Sequence, residues 1–461
     1  MASVFRGIMC YNILMDNWDK IFKAYDIRGI YPTEINEDVA YKVGRGVARF
    51  LRAQKIVIGR DNRLSSDSLF AALSEGILDE GVNILDIGYA TTPMFYLVVA
   101  KYEYGGGVMI TASHNPKEYN GFKVVAAQSV PIGEETGLLE IKKIIHNLKP
   151  VQKPVKQRGQ IEERDVLEHY LKNILRFVDI ESIKPLKVIV DTGNGTAGIV
   201  MKELDKRLPI KVVQLFPELD GNFPNHQPNP MHPEATRVLQ EKIIRQKADF
   251  GVAFDGDGDR ILFLDENGER INPNHLAALI INRFYKDASG KISFDTPTSW
   301  IVREQIAKTG NTPICTKVGH VHLKDKILRE KAIFGAESSG HYYLLEDYSI
   351  ESPFFVFFKV LELISKEGKP LSLLIKPFQK YYIDGKIFRI ENREAKIKKA
   401  ENFYKNAQRV SLYDGLTVEY PNWHFILRAS NTEPVLRLVV EAKTQKMLDA
   451  KMKEITALVE R

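Results

Sequence analysis

The chain has 461 residues, of which 44% are hydrophobic, and a formal net charge of +6, which predicts about three or more folded domains and mildly favours anionic substrates. No stretch approaches the roughly 18 apolar residues of a membrane helix, and the basic residues form no run that would indicate nucleic-acid binding. The two cysteines, Cys10 and Cys315, argue against a disulfide framework and predict a reducing, cytoplasmic location.

The first structured region follows a short N-terminal extension. Residues 1–16 have no long apolar core and no small-residue cleavage site, so we expect a disordered extension and not a signal peptide. Apolar runs then alternate with amphipathic stretches, which predicts a parallel α/β unit. The first helix has Ser65 or Ser66 as its cap and an apolar face of Leu69, Leu73 and Ile77. The predicted strands are 55–59, 82–87 and 108–110, and the predicted helices are 66–80 and 93–101.

A polar loop with Ser113 follows the strand at 108–110 and turns at Asn115-Pro116. A serine at the carboxyl end of a parallel strand lies where α/β proteins form their active sites. Because serine is also a favoured helix cap, capping is the alternative for Ser113 when it is considered alone.

The second unit repeats this pattern and ends in an acidic loop. Its predicted strands are 186–190, 210–215 and 250–254, and its helices are 196–208 and 234–247. Asp255, Asp257 and Asp259 alternate with glycines before an apolar run at 261–264. Three like charges so close together repel each other unless a cation lies among them, and oxygen ligands suit Mg²⁺ or Ca²⁺.

Two other interpretations of the acidic loop are weaker. An EF-hand calcium loop would explain Glu266 at its last position, but Arg260 stands where that loop needs glycine, and strands flank the loop instead of helices. A solvated acidic turn is disfavoured by the β-branched and aromatic residues on both sides. The sequence therefore favours a metal site.

The third unit ends in a loop with mixed polar chemistry. Its predicted strands are 291–294 and 313–317, its helices are 300–308 and 322–331, and the apolar pair 333–334 follows. The carboxylate of Glu337, the hydroxyls of Ser338 and Ser339 and the imidazole of His341 can bind adjacent hydroxyls of a sugar ring. An ordinary polar turn is the alternative for this loop alone.

The region after residue 381 departs from the repeat and predicts an α+β domain. Its predicted strands are 386–390, 408–410, 425–427 and 435–441, and its helices are 393–407 and 444–458. The loop 428–434 contains Arg428, Ser430, Asn431 and Thr432. An arginine fork, two hydroxyls and loop amides suit a phosphate; the alternative is a surface turn.

Two other segments are given structural interpretations. Residues 193–198 match the glycine pattern of a dinucleotide-binding turn, but the second strand runs into Pro217 instead of ending on an acidic residue, so we do not expect a nucleotide there. Residues 217–233 hold five prolines and predict a long ordered loop in which His226 is packed or exposed and not catalytic.

Together, the four loops with Ser113, Asp255, Glu337 and Arg428 resemble those of the α-D-phosphohexomutase family, in particular its phosphomannomutase/phosphoglucomutase branch. The resemblance covers nearly the whole chain in the family's order, and it includes residues 22–29, 59–63 and 220–224. It implies three similar mixed or parallel α/β domains in tandem, then an α+β domain, around a central cleft. The expected domains are 1–160 (phosphoserine-bearing), 161–267 (metal-binding), 268–378 (sugar-recognition) and 379–461 (phosphate-binding).

The resemblance also implies a mechanism and a set of site residues. Ser113 is expected to carry a phosphoryl group between two half-reactions, and a 1,6-bisphosphate sugar turns around between them, with glucose 1,6-bisphosphate as activator. One Mg²⁺ is expected on Ser113, Asp255, Asp257 and Asp259. The expected general acid/base groups are His341, Lys123 and Arg28, supported by His114, and His341 has the most useful ordinary pKa. The expected substrate contacts are Tyr25, Arg260, His320, Glu337, Ser339, Arg428, Ser430, Asn431 and Thr432.

The chain departs from the family pattern in its third unit. Asp295-Thr296-Pro297 stands where the branch commonly has Asp-x-Lys, and Glu351-Ser352 replaces an Asp-Gly pair. Since proline carries no charge, we expect weaker binding of the sugar phosphate, compensated in part by Arg303 or Lys317.

Several alternatives for the activity stay open. Phosphoglucosamine mutase is the nearest, although Thr111 and Phe122 favour the phosphomannomutase/phosphoglucomutase branch. A catalytically silent sugar-phosphate-binding paralogue and a metal-dependent phosphatase are further alternatives. We expect hexose phosphates as ligands, no nucleic-acid or membrane partner, and a monomer or homodimer.

Overall fold

The computed structural model describes residues 18–151, 157–430 and 435–461. They form four consecutive units, each with its own β-sheet. The first three sheets mix parallel and antiparallel pairs, whereas every pair in the fourth is antiparallel. The predicted fold class, three similar α/β domains followed by an α+β domain around a central cleft, is confirmed.

The first unit has a six-stranded sheet. Its strands are β1 (Ile27–Ile30), β2 (Lys55–Arg60), β3 (Asn83–Tyr89), β4 (Gly106–Ile110), β5 (Tyr119–Ala126) and β6 (Ile161–Glu163). Its helices are α1 (Trp18–Ile21), α2 (Glu37–Leu51), α3 (Ser66–Asp79), α4 (Thr92–Lys101) and α5 (Leu138–His146). The strand order is β1-β5-β4-β2-β3-β6. Because β6 pairs with β3, this sheet continues three residues past the predicted boundary at residue 160.

Helices α2 and α3 approach each other closely because each has a glycine at the contact. A Cβ atom on Gly44 would lie 2.2 Å from the carbonyl oxygen of Leu73, and one on Gly76 would lie 2.1 Å from that of Tyr41. Such distances allow only glycine at both positions. This contact holds α3 against α2.

The N-terminus of α3 differs from the prediction. Ser65 occupies the N-cap position, but its side chain makes no capping hydrogen bond. Its hydroxyl instead accepts from Nδ2 of Asn120 at 2.8 Å, and the hydroxyl of Ser66 donates to Asp61 at 2.7 Å. The predicted apolar face of the helix, Leu69, Leu73 and Ile77, is fully buried.

The second and third units repeat the arrangement with smaller sheets. The second contains α6 (Leu167–Leu175), β7 (Lys187–Asp191), α7 (Ala197–Leu204), β8 (Lys211–Leu215), α8 (Arg237–Gln246), β9 (Phe250–Phe254) and β10 (Ile261–Leu264). The third contains α9 (Pro273–Phe284), β11 (Lys291–Asp295), α10 (Trp300–Lys308), β12 (Thr312–Thr316), α11 (His320–Glu330), β13 (Phe334–Ala336), β14 (Tyr342–Leu344), β15 (Ile350–Glu351), α12 (Pro353–Glu367) and α13 (Leu371–Ile375). The strand orders are β10-β9-β7-β8 and β12-β11-β13-β14-β15.

Each of the first three units has a functional loop at an equivalent position in its sheet. In each unit a central strand, β2, β7 or β11, pairs in parallel with a strand that then turns back into an antiparallel neighbour. The turns are β4–β5, β9–β10 and β13–β14. Their loops therefore lie at equivalent carboxyl ends of parallel strands, where α/β folds place ligands.

The fourth unit is an antiparallel sheet with two helices. It contains β16 (Tyr382–Phe388), α14 (Arg393–Phe403), β17 (Arg409–Ser411), β18 (Leu416–Glu419), β19 (Trp423–Ala429), β20 (Leu436–Ala442) and α15 (Gln445–Glu460). The strand order is β16-β20-β19-β18-β17. The loop after β19 carries the predicted arginine motif.

The largest apolar core extends through the first three units, and the first unit has a second core around Ile56 and Leu73. The largest core includes Phe95 from α4, Val188 from β7 and Phe357 from α12. Helix α12 lies almost entirely inside this core, because its sequence is apolar on nearly every side. The fourth unit has a separate core around Phe425 and Leu438. Within the described ranges, no helix is both long and apolar enough to cross a bilayer.

Candidate active site

Ser113 lies in the β4–β5 loop with a φ of +50°. This left-handed backbone is uncommon for a residue with a side chain, and such strain clusters at functional sites. The Oγ atom donates a hydrogen bond to Oδ2 of Asp255 at 2.9 Å and lies 3.1 Å from Nδ1 of His114. The predicted serine therefore contacts the acidic loop of the second unit.

Arg63 holds the serine loop in place, a role that we did not predict. Its guanidinium is fully buried, and Nε donates to Oδ2 of Asp61 at 3.1 Å. The other oxygens that accept from it are the loop carbonyls of Ser113, Asn115, Pro116 and Tyr119. The one signal in the sequence was the Arg-Asp-Asn-Arg run at 60–63, which places an aspartate acceptor close to Arg63. A buried arginine needs several such acceptors, because its guanidinium has five N–H donors.

The three aspartates of the second unit form a buried cluster. The carboxylates of Asp255, Asp257 and Asp259 offer ligand atoms within 4.8 Å of one another. Burial, together with the charges of Asp259 and Asp257, raises the pKa of Asp255 well above its ordinary value. Oδ1 of Asp257 is buried with no hydrogen-bond partner among the described residues. Converging hard oxygens with one unpartnered atom fit a divalent cation such as Mg²⁺.

Lys123 from β5 neutralises part of this acidic cluster. Its Nζ atom donates to Oδ2 of Asp257 at 2.9 Å and to Oδ2 of Asp259 at 2.6 Å. Burial opposes the charged amine, but the two carboxylates outweigh it and raise the pKa of Lys123 well above its ordinary value. Thr92, at the start of α4, also donates to Oδ2 of Asp257 at 2.6 Å. The first unit thus contacts the cluster through three side chains, including Ser113.

His341 lies between the acidic loops of the second and third units. Its Nε2 atom is 3.2 Å from Oδ1 of Asp259, and its Nδ1 atom is 2.8 Å from Oε2 of Glu337. Burial opposes the imidazolium, but Asp259 and Glu337 outweigh it and raise the pKa to about 10 despite Arg260, whose Nε lies 3.2 Å from Nε2. The two carboxylates therefore favour the protonated form of His341.

Glu337 and Ser339 face the same space from the third unit. Oε2 of Glu337 accepts from the hydroxyl of Ser339 at 3.0 Å, while Oε1 is buried without a hydrogen-bond partner in the described ranges. Asp295, at the end of β11, accepts from both the amide and the hydroxyl of Ser338, at 3.2 and 3.0 Å. Asp295 therefore fixes the loop that presents Glu337.

Asp295 gives this loop a pH-dependent stability that can be measured. Burial and neighbouring Glu337 raise its pKa to about 7, despite hydrogen bonds from Thr298 and Ser338. The unfolded chain loses this proton near pH 4, so the folded state binds more protons between about pH 4 and 7, and the free energy of unfolding falls by about 1.4 kcal/mol per pH unit for this group as pH rises. We expect Asp295→Asn, which keeps an acceptor oxygen, to remove that fall.

Calorimetry at pH 5, 6, 7 and 8 tests this expectation. The Tm of Asp295→Asn should rise relative to the unaltered protein from pH 5 to 7 and then keep a constant difference. Asp384→Asn, at an exposed position on β16, is the control and should show no such trend. A Tm difference that is the same at every pH would contradict the assigned pKa.

The fourth unit contributes Arg428 and Ser430. The guanidinium of Arg428 is largely buried, and its Nη1 atom has no hydrogen-bond partner among the described residues. The amide of Ser430 donates to the carbonyl oxygen of Val435 at 2.8 Å. Asn431 and Thr432, the other predicted members of this cradle, lie outside the described residues.

The remaining predicted residues, Arg28, Tyr25, His320 and His114, belong to the first and third units. Nη1 of Arg28 donates to Oδ1 of Asn115 at 2.8 Å. The Tyr25 ring packs edge-on against His320, which begins α11. Burial and the charges of Lys123 and His341 lower the pKa of His320 well below its ordinary value, so this histidine is neutral. Burial and two nearby arginines do the same for His114.

One cavity of about 550 Å³ joins these residues. All four units line it, and its lining side chains include seven lysines or arginines and four aspartates or glutamates, which favours an anionic ligand. Three of the cationic residues were not predicted: Lys23, Arg389 and Arg437. The predicted residues on its wall are Tyr25, Arg28, Ser113, His114, Lys123, Asp259, Arg260, His320, Glu337, Ser339, His341, Arg428 and Ser430. Asp255 and Asp257 lie behind Ser113 and Lys123.

Two further expectations concern residues that lie outside this cavity. Arg303 donates to Oε1 of Glu419 at 2.7 Å and lines a separate cavity, so the expectation that it replaces the missing lysine is wrong. A Cβ atom on Gly195 would lie 2.6 Å from the carbonyl oxygen of Gly256. The glycine-rich turn at 193–198 therefore packs against the acidic loop, in agreement with a structural role.

The chain matches the family models of phosphoglucomutase/phosphomannomutase in four consecutive parts. Residues 19–152, 168–268 and 272–381 match alpha/beta/alpha domains I, II and III, and residues 386–458 match the C-terminal domain. These segments agree with the four units of the structure.

Curated relatives and solved structures match along almost the whole chain. The chain is 35% identical to a phosphomannomutase of Vibrio cholerae over 456 residues and 36% identical to one of Escherichia coli over 450 residues; each match covers 95% of this chain and 98% of the relative. A phosphoglucomutase/phosphomannomutase family protein of Burkholderia thailandensis superposes with a TM-score of 0.86 at 30% identity, over 96% of this chain and 97% of the other.

Proposed function

Because the chain belongs to the phosphoglucomutase/phosphomannomutase family, we propose that it transfers a phosphoryl group reversibly between the 1- and 6-positions of a hexose phosphate. The observation that carries the proposal is the placement of the Ser113 hydroxyl and the Arg428 guanidinium on one cationic cavity. A mutase of this kind needs a group that holds the phosphoryl group and a separate group that binds the phosphate at the far end of the sugar.

We propose Ser113 as the carrier of the phosphoryl group. A hydroxyl of the sugar attacks the phosphorus of phosphoserine 113, the bond from phosphorus to Oγ breaks, and the proton of the sugar hydroxyl passes to a base. Ser113, Asp255, Asp257 and Asp259 would hold one Mg²⁺, which supplies charge neutralisation for the phosphoryl oxygens. Asp255, as the hydrogen-bond partner of Oγ, orients the serine.

We assign proton transfer to charged groups that line the same cavity as Ser113. Asp259 and Glu337 favour the protonated form of His341, which would give a proton to the departing Oγ and recover one in the reverse step. Lys123 and Arg28 are the other general acid/base candidates on this wall. His114 is neutral, and it supports Ser113 through the 3.1 Å contact with Oγ.

The far phosphate must bind in either orientation of the sugar, because the 1,6-bisphosphate intermediate turns around between the half-reactions. We assign this to Arg428, Ser430, Asn431 and Thr432, with Arg260 beside the reacting phosphoryl group. Glu337 and Ser339 would bind the ring hydroxyls, and Tyr25 and His320 would close the opposite wall. Glucose 1,6-bisphosphate would act as activator, since it phosphorylates Ser113 as it binds.

One assay separates the proposed function from its alternatives. Mannose 1-phosphate, glucose 1-phosphate and glucosamine 1-phosphate are supplied in turn, with Mg²⁺ and glucose 1,6-bisphosphate, and both the 6-phosphate and free phosphate are measured. We expect turnover of mannose 1-phosphate, glucose 1-phosphate or both. Preference for the amino sugar would indicate a phosphoglucosamine mutase, free phosphate alone a phosphatase, and no product a silent paralogue. We also propose a cytoplasmic monomer or homodimer.

Arg428→Ala should weaken turnover without affecting the chemistry at Ser113. A charge-assisted hydrogen bond contributes about 1.5–3 kcal/mol, so kcat/KM should fall by roughly 10- to 150-fold. Steady-state kinetics with the preferred sugar phosphate measure this change. Arg409→Ala is the matched control, because this exposed arginine pairs with Glu419 outside the main cavity. An unchanged kcat/KM for Arg428→Ala would show that the fourth unit does not bind the substrate.

A further inference from the structure

The turn between β17 and β18 brings a carboxylate to the arginine of the fourth unit. Gly415 has a φ of +74°, and a Cβ atom there would lie 2.9 Å from the Cα atom of Arg428. The turn therefore packs directly on the arginine's backbone, and Asp414, one residue earlier, is 9% exposed. Asp414 belongs to none of the four loops that the sequence singles out.

Asp414 joins the fourth unit to the third. Its Oδ2 atom accepts from the amide of Val318 at 2.8 Å and from the hydroxyl of Thr296 at 2.7 Å. The same oxygen lies 3.9 Å from Nε of Arg428. Oδ2 of Asp414 therefore accepts two hydrogen bonds from the third unit and also lies close to the guanidinium of Arg428 in the fourth. Thr296 precedes Pro297, where we expected the lysine that is common in the branch that the sequence resembles.

The peptide groups of Val318 continue this connection to the first unit. Its amide donates to Asp414, while its carbonyl oxygen accepts from the hydroxyl of Tyr25 at 2.6 Å. The next residue, Gly319, has a φ of +125°, and a Cβ atom there would lie 2.5 Å from the Tyr25 ring. A single residue therefore links the first and fourth units across the cavity wall, directly before His320.

We propose that Asp414 is a positioning residue for substrate binding, and this rests on the proposed role of Arg428. Its negative charge, 3.9 Å from Nε, holds the guanidinium of Arg428 in place on the cavity wall. Through Val318 it fixes the fourth unit against Tyr25 while the sugar phosphate is bound. Asp414 itself does not contact the reacting atoms.

The test compares Asp414→Asn with Glu419→Gln. Both changes remove one carboxylate charge at the boundary between the third and fourth units, but Glu419 pairs with Arg303 and Arg409 and does not contact Arg428. We expect Asp414→Asn to raise the KM for the sugar phosphate about tenfold, with a smaller change in kcat, as for the loss of one charge-assisted contact. Glu419→Gln should leave KM within about twofold, because Glu419 and its two arginine partners lie outside the main cavity.

Hydrogen–deuterium exchange of the Val318 amide provides a measurement that needs no activity. The Val318 amide should exchange faster in Asp414→Ala than in the unaltered protein or in Glu419→Gln. If the alanine variant does not fold, Thr296→Val, which removes one donor to the same oxygen, should raise KM in the same direction by a smaller factor. The proposal is overturned if KM and Val318 exchange are both unchanged, or if Glu419→Gln raises KM equally. An unaltered protein that converts no sugar phosphate would instead refute the proposed function.

Discussion

Ser113→Ala should lower kcat by about three orders of magnitude or more, the loss typical of removing a nucleophile. The hydroxyl is the only part of this side chain that can hold a phosphoryl group. Alanine keeps the Cβ atom, the part of serine that makes the left-handed backbone costly, so the substitution adds no new steric contact. The fold should therefore persist, because Arg63 binds backbone oxygens of the loop. Mass spectrometry of the unaltered protein should also find one added phosphate on Ser113.

The control for this variant is Ser68→Ala. Ser68 lies on α3 in the same unit, and its hydroxyl donates to a backbone oxygen, that of Ser65. We expect Ser68→Ala to keep nearly full turnover and Ser113→Ala to keep its circular dichroism spectrum and Tm. Near-normal turnover of Ser113→Ala, with that spectrum intact, would refute the proposed mechanism.

The loops of the candidate site were predictable because local rules place them. Apolar strand residues are followed by glycine-rich or polar turns at 108–113, at 250–259 and at 333–341. Helices alternate with the strands of each unit, and strands that are joined through helices pair in parallel. The carboxyl ends of those strands then had to meet on one side of each sheet. The element bounds of these segments, such as those of β9 and α10, agree closely with the structure.

The side chains that support these loops were not predictable in the same way. Asp295 and Ser338 are 43 positions apart, Arg63 and Ser113 are 50 apart, and Thr296 and Asp414 are 118 apart. Local propensity carries no information on such pairs. The raised pKa of His341 has the same origin, since Asp259 reaches it from another unit. Helix α12 was missed because a continuous apolar run has no clear helical period.

Asp257→Asn should weaken Mg²⁺ binding and turnover together. Oδ2 of Asp257 already accepts from Thr92 and Lys123, whereas Oδ1 has no partner within the described residues. An asparagine oxygen can keep the first two contacts while its NH₂ group stands where the unpartnered oxygen was, and an amide nitrogen does not ligate a hard cation. Because a catalytic metal contributes several kcal/mol, we expect turnover to fall about 10²- to 10⁴-fold at low Mg²⁺ and to recover in part when Mg²⁺ is in excess.

Thr92→Val, which removes only a neighbour of Asp257, should need no extra Mg²⁺. Full activity after complete chelation would mean that the acidic cluster is not a catalytic metal site.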